Sequence, residues 1–180
     1  MDTKDILTLV SIIVAALIGI IGFALTIWQI NKAKRVKEMD FVSNLISAIR
    51  TNERLSDAFY LIEYDKKWYD EKFKKSKIEK KMDALLSQLD YLCYARETKL
   101  IREEAFNYFG YTLYRVVNNK EARNYFWNLY HLAKLLNQEC PFAHLINYMK
   151  QGFSVEELFA FNSKEVVCEP YRKVIEELKE

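Results

Sequence analysis

The strongest pattern in the chain is an uninterrupted apolar run near its start. Residues 6–30 carry no charged side chain, and fifteen of these 25 residues are Ile, Leu, Val or Phe. A helix of this length, rising about 1.5 Å per residue, reaches over ~30 Å and can cross the hydrocarbon core of a bilayer. The run is followed by a basic flank typical of a cytoplasmic boundary: Lys32, Lys34, Arg35 and Lys37. The sequence therefore predicts a single-pass membrane protein with its short N-terminus outside and residues 31–180 in the cytoplasm.

Small and polar residues recur along one side of this predicted span. At about 100° per residue, seven of them fall within an arc of roughly 80° that carries no large apolar side chain. These seven residues, the small-residue stripe, are Thr8, Ser11, Ala15, Gly19, Gly22, Thr26 and Gln29. Small residues let membrane helices approach closely, and hydroxyl groups can hydrogen-bond between helices. The stripe predicts a parallel homo-oligomer, in which it forms either the packing seam or the lining of a lumen. A plain single-span anchor is the alternative.

Apolar residues continue at helical spacing through the rest of the chain, which has only 4 Gly and 2 Pro. The pattern predicts that the first helix continues to about Arg50. A capping box formed by Ser76 and Glu79 begins a strongly amphipathic helix that reaches about Arg96. Its predicted inward face begins with Ile78 and Met82. The other predicted helices cover residues 54–64, 100–117, 122–139, 141–150, 155–161 and 171–179. The helical spacing places five residues of the 100–117 helix inward and Leu136 on the apolar face of the 122–139 helix; the five are Ile101, Ala105, Phe109, Leu113 and Val116. The predicted fold is all-α, with a transmembrane domain at residues 1–30 and a compact cytoplasmic helical bundle at residues 31–180.

Composition and charge exclude several classes of function. The net charge of +2 provides no general basic field for nucleic acid. Cys93, Cys140 and Cys168 form no CxxC pair, which suits a reducing cytoplasm. Cys140 and His144 could share a helix face, but two further zinc ligands at usable spacing are missing, and the sequence has no Gly-rich phosphate loop. We therefore expect no metal, no cofactor and no small-molecule substrate.

One polar motif lies on the predicted helix at residues 122–139. Arg123, Asn124 and His131 belong to the segment RNYFWNLYH. This motif resembles the HEPN ribonuclease signature, in which an arginine, often followed by a polar residue, precedes a histidine on a helix of an all-α domain. In a dimer of such motifs the histidine moves a proton and the arginine stabilises phosphate charge. Seven residues separate Arg123 from His131, a wider spacing than the HEPN pattern has. The alternative is an arginine on a solvated face and a histidine at the edge of the core.

A lysine-rich segment lies immediately before and across the capping box. Residues 64–81 combine eight lysines with four aromatic residues, namely Tyr64, Trp68, Tyr69 and Phe73. Lysines beside aromatic rings can follow a single nucleic-acid strand or contact anionic lipid headgroups. Because four acidic residues dilute this charge, the simpler interpretation is a solvated loop at residues 65–75.

The layout as a whole combines one N-terminal span, four basic residues and an aromatic-rich helical domain with the Arg123–Asn124–His131 motif. It resembles the small membrane accessory proteins of type VI-B CRISPR systems, and also a broader family of bacterial single-span helical proteins. The resemblance implies a degenerate HEPN-like domain and a ring-shaped oligomer that forms a pore in the bacterial inner membrane and enhances RNA-triggered antiphage defence. The partners that it implies, besides membrane lipid and further copies of the chain, are an RNA-guided CRISPR effector or RNA.

Three classes of function stay open on the sequence alone. A pore-forming effector predicts ion leakage, a membrane-tethered HEPN ribonuclease predicts RNA cleavage, and a non-catalytic scaffold for a cytoplasmic partner predicts neither. The copy number, the gating signal and the ion selectivity do not follow from the sequence.

Overall fold

The computed structural model describes residues 3–70 and 72–152, and every regular element within these ranges is helical. The helices are α1 Thr3–Thr51, α2 Glu53–Glu63, α3 Lys77–Glu97, α4 Glu103–Phe106, α5 Gly110–Asn118, α6 Lys120–Leu135 and α7 Ala143–Lys150. The all-α prediction is confirmed for this part of the chain. The predicted helices at residues 155–161 and 171–179, and Cys168, lie outside the described residues. The chain divides into two compact units between Phe41 and Val42. The proposed domain boundary at residue 30 concerns the membrane and stays a prediction.

Side-chain caps explain where two helices of the second unit begin. The Asn52 side chain accepts the N–H groups of Arg54 and Leu55 at the start of α2, at 3.0 and 3.4 Å. Ser76 caps α3 in the same way, as predicted. The Glu79 carboxylate accepts the backbone N–H of Lys75 instead of that of Ser76. The second half of the capping box is therefore displaced by one residue.

Helix α3 carries the largest share of the buried core in the second unit. It packs against α2 and α7, and its inward residues are fully buried: Met82, Leu85, Leu86, Leu89, Leu92 and Cys93. The prediction placed Ile78 on this inward face as well, but its side chain is 38% exposed. Ile78 lies in the first turn of α3, at the edge of the core, where the helix has only begun to be covered.

The predicted helix at residues 100–117 is divided into three pieces. Its five expected inward residues are buried, namely Ile101, Ala105, Phe109, Leu113 and Val116. A 3₁₀ turn, Asn107–Phe109, separates α4 from α5. Phe106, which precedes this turn, and Phe109, which ends it, are both buried.

Helix α6 ends earlier than the sequence predicts. The expected end was about Glu139, but the last helical residue is Leu135. Asn137 has a φ of 52°, a left-handed conformation that asparagine tolerates and that stops a helix. Leu136, expected to be buried, is 39% exposed as a result.

The segment between α2 and α3 is a loop, as expected, but it is not a solvated one. The side chains of Trp68, Tyr69 and Phe73 are only 2%, 7% and 2% exposed. All three rings pack around Tyr125 of α6, with centroid distances of 6.1, 5.5 and 5.1 Å. These three aromatic residues therefore anchor the loop in the core and are not available to nucleic-acid bases or lipid headgroups; of the four aromatic residues, only Tyr64 is exposed.

Polar groups complete the attachment of this loop. The buried Asn128 amide donates to the Tyr69 hydroxyl at 2.7 Å. The Glu121 carboxylate accepts the Tyr69 backbone N–H at 3.2 Å. The Tyr125 hydroxyl donates to Asp83 of α3 at 2.6 Å. Burial raises the pKa values of Asp83 and Glu121 above their ordinary values. The hydrogen bonds from Tyr125 and from the Tyr69 backbone partly offset the rise.

Candidate functional site

The first candidate site is the apolar run of α1. Among the described residues, α1 is the one helix that is long and apolar enough to span a membrane. Its large side chains project outward, with exposed fractions of 68% for Leu7, 66% for Ile18 and 70% for Phe23. Soluble monomeric proteins rarely expose a continuous apolar surface of this extent. The surface of this helix therefore requires either lipid or other protein around it.

The end of the run carries the side chains that an interfacial boundary needs. Trp28 is 60% exposed, and the Lys32 ammonium lies 5.2 Å from the centre of its ring. Tryptophan concentrates at membrane–water interfaces, and a lysine one turn further can extend its charge towards the headgroups. Lys34, Arg35 and Lys37 are exposed as well.

The small-residue stripe lies on the continuous helix α1, so its seven members share one face as the spacing predicts. The three hydroxyl groups of the stripe are satisfied within their own helix. Thr8 donates to the Lys4 carbonyl at 2.9 Å, Ser11 to the Thr8 carbonyl at 2.8 Å, and Thr26 to the Gly22 carbonyl at 2.8 Å. These hydroxyls can therefore lie in a dry environment without a partner on another helix. Besides the side-chain amide of Gln29, the stripe offers a neighbouring helix a surface on which backbones can pack closely.

The two glycines at the centre of the stripe have open space beside them. A Cβ atom built on Gly19 or Gly22 meets no atom of the chain within 4 Å. Nothing inside one protomer therefore requires glycine at either position. Since glycine in a helix costs ~1 kcal/mol relative to alanine, a contact with something outside the protomer is the physical reason that would favour it here.

The second candidate site is the polar motif on α6. Arg123 is half-buried, and its guanidinium donates to the Asn118 carbonyl at the end of α5, at 3.4 Å. Burial lowers its pKa from the ordinary value of an arginine. The Asn124 carbonyl accepts the side-chain amide of Asn128 at 3.0 Å, while the Asn124 side-chain oxygen is buried and accepts no hydrogen bond within the described part of the chain.

His131 lies near the other end of α6 and packs against an aromatic ring. Its imidazole meets Trp127 edge to face at a centroid distance of 4.0 Å. Burial lowers the pKa of His131, and the charge of Lys134 lowers it further, so that the ring is mostly neutral at pH 7. The Nε2 atom is buried and has no hydrogen-bond partner among the described residues.

The structure places the three motif residues on one helix but does not bring them together. Arg123 and His131 are about 12 Å apart along the axis of α6 and roughly 80° apart around it. Asn124 and His131 are only roughly 20° apart around the helix axis, and Trp127 lies between them along the helix. In this structure the two side chains also have separate partners, the Asn118 carbonyl for Arg123 and the Trp127 ring for His131.

Of the cysteine and histidine pair named in the sequence analysis, Cys140 and His144, the histidine has a local partner. Nδ1 of His144 lies 2.6 Å from the Glu97 carboxylate. Burial raises the pKa of Cys140 to about 11 and that of Cys93 to about 12, so both thiols are protonated and unreactive at neutral pH. No group of three or more metal-ligating side chains occurs in the ranges that the structure covers.

Sequence reasoning missed the polar residues that hold the loop between α2 and α3. Asn119, Asn128 and Glu121 of this network follow no motif, and they become recognisable only once α6 is placed against the loop. The neighbouring asparagines at 118–119 were a signal, since Asn119 also caps α6 by accepting the Ala122 N–H at 2.9 Å.

Comparison with known proteins identifies no relative of this chain from which a function for these sites could be taken. No protein-family model, no curated protein and no solved structure matches this chain.

Proposed function

We propose that this protein is a single-pass membrane protein that assembles into a parallel homo-oligomer and forms a pore. The observation that supports the proposal most is the apolar run of α1, exposed along its length, with the small-residue stripe on one face. We further propose that the N-terminus lies outside the bacterial inner membrane and that the helical domain, which is HEPN-like, lies in the cytoplasm. The basic residues after the run favour this orientation.

The free energy of insertion supports a membrane location. Each of the fifteen Ile, Leu, Val and Phe residues of the run favours insertion by ~0.3–0.6 kcal/mol, which amounts to on the order of 5–9 kcal/mol in total. No charged residue in the run opposes this, whereas one at the centre of a span would cost ~3 kcal/mol.

A pore requires several copies because one helix cannot enclose a path for ions. Every copy inserts with the same orientation, so rotational symmetry repeats one heterologous contact around a ring. The stripe is the part of the run that permits close backbone approach or tolerates water. It is either the seam between neighbouring helices or the surface of the lumen.

The proposed biological role is the enhancement of RNA-targeting CRISPR antiphage defence. This part of the proposal rests on the resemblance in layout, and it names an RNA-guided effector or RNA as the upstream partner. Opening of the pore would then damage the membrane potential of an infected cell. A tethered ribonuclease is less well supported, because Arg123 and His131 are two turns apart and His131 packs against Trp127.

The mass of the detergent-solubilised particle tests the assembly that the proposal requires. Light scattering with correction for bound detergent should give several times the chain mass of 21.4 kDa. A particle of one chain under conditions that keep the protein folded would contradict the proposal.

A further inference from the structure

Four tyrosines line an open groove in the second unit of the molecule. Tyr60 of α2 and Tyr64, which directly follows α2, form one side with their rings stacked at 5.5 Å, and Tyr108 and Tyr111 form the other side. The last turns of α1 form part of the wall, through Ile46, Ile49 and Arg50. The groove has a volume of about 570 Å³. We call it the tyrosine groove.

All four rings of the groove are exposed. The exposed fractions are 49% for Tyr60, 64% for Tyr64, 65% for Tyr108 and 60% for Tyr111. Since a tyrosine offers on the order of 200 Å² of surface, the four rings together present about 500 Å². A standard protein–protein interface buries about 800 Å² on each partner, so the rings alone supply more than half of that area.

The charges around the groove cancel. Glu63 accepts a hydrogen bond from the Tyr111 hydroxyl and pairs with the Arg115 guanidinium, whose Nε atom lies 3.3 Å from the carboxylate. Arg115 also pairs with Asp65 at 3.0 Å. Among the lining residues Arg50 is the one cation, and the described part of the chain shows no acidic partner for it. A nucleic acid or an anionic membrane surface requires a cluster of cations, whereas a neutral surface rich in tyrosine is typical of protein–protein contacts.

We propose that the tyrosine groove is the surface on which a second copy of this chain docks. The proposal rests on the parallel oligomer of the proposed function, because copies held in one membrane with one orientation present the same groove to their neighbours at high local concentration. Tyrosine rings add large contact area at a low cost in side-chain entropy, and they are enriched among the residues that dominate binding energy. A ring of copies then has a contact within the cytoplasmic domains in addition to the contact between spans.

Photo-crosslinking of the full-length protein in membranes tests the groove directly. The photoreactive residue p-benzoyl-phenylalanine is placed at position 108 in the groove, or at position 91 as a matched control. Tyr91 is a similarly exposed tyrosine, 51%, on α3 outside the groove lining. Position 108 should give a covalent dimer of this chain, and position 91 should give none. Adducts of position 108 with lipid, RNA or a different protein, no adduct at all, or equal dimer formation at position 91 would each overturn the proposal.

Alanine substitutions separate this proposal from the proposed function. Tyr108→Ala should weaken the contact between copies at least about tenfold and lower the particle mass at limiting protein concentration, whereas Tyr91→Ala should not. Both side chains are exposed, so either variant should fold, which circular dichroism checks. If the wild type is oligomeric and Tyr108→Ala leaves the concentration dependence of its mass unchanged, the groove proposal fails and the proposed oligomer stands. If the wild type is a single chain, the proposed oligomer itself fails.

Discussion

Replacing the glycines of the small-residue stripe by larger residues should stabilise the helix of a single protomer and weaken the contacts between copies. Gly19→Leu and Gly22→Leu meet no steric obstacle inside the chain, because a Cβ atom at either position has nothing within 4 Å. Replacing glycine by leucine in a helix stabilises it by ~0.8 kcal/mol. The leucine side chain favours membrane insertion by a further ~0.3–0.6 kcal/mol. Each variant should therefore insert at least as well as the wild type.

The expected loss lies in the contacts between copies. If the stripe is the packing seam, the added side chain overfills each helix–helix contact and costs ~1–3 kcal/mol, which weakens that contact by about 5- to 150-fold. The particle should then fall to smaller species in detergent, as light scattering would show. If the stripe lines a lumen, the particle mass stays the same and ion leakage from reconstituted vesicles decreases instead.

Two large residues on the broad apolar side of the same helix provide the controls. Leu17 and Ile20 are 54% and 65% exposed and lie outside the stripe. Leu17→Phe and Ile20→Phe should change neither the particle mass nor the leakage. Wild-type mass together with wild-type leakage in either glycine variant would refute both versions of the stripe hypothesis and leave the run as a plain anchor.

Three further predictions concern orientation, catalysis and pH. A reporter fused after residue 180 should be active if it functions in the cytoplasm and silent if it functions in the periplasm, because the basic flank sets the topology; the opposite pattern would reverse the proposed orientation. The purified protein should not cleave RNA detectably, because Arg123 and His131 are two turns apart on α6; cleavage that disappears with His131→Ala would show that a ribonuclease is present. Folding lowers the pKa of His131, so the unfolded state binds more protons than the folded state as the pH falls through about 6.5. The free energy of unfolding of the protein therefore decreases on acidification. His131→Gln should therefore lose less thermal stability than the wild type between about pH 7.5 and 5.5, and an equal loss would contradict this account of His131.

Local patterns were sufficient for most of the helices. The start of α2 and α3 follows from side-chain caps at Asn52 and Ser76, which act within three residues of sequence. The inward residues of α3 follow from the helical period alone. Such features need no knowledge of the rest of the fold, and for this reason they could be predicted.

The differences arise where tertiary packing decides. Trp68, Tyr69 and Phe73 lie in a segment without a helical period, and their burial depends on Tyr125, which is more than fifty residues away in sequence. The 3₁₀ turn at 107–109 likewise interrupts a segment whose period looks continuous. The tyrosine groove was missed for the same reason, since its lining comes from the end of α1, from α2 and from residues around the start of α5, and no motif links these segments.

Ion flux across a defined bilayer tests the central claim most directly. The purified full-length protein is reconstituted in lipid vesicles that contain an entrapped potassium load, and efflux is recorded at increasing ratios of protein to lipid. A pore assembled from several copies predicts efflux that rises more steeply than linearly with this ratio and that Gly19→Leu reduces. Inserted wild-type protein that releases no potassium at any ratio, with its oligomer intact, would contradict the assignment of this protein as a pore.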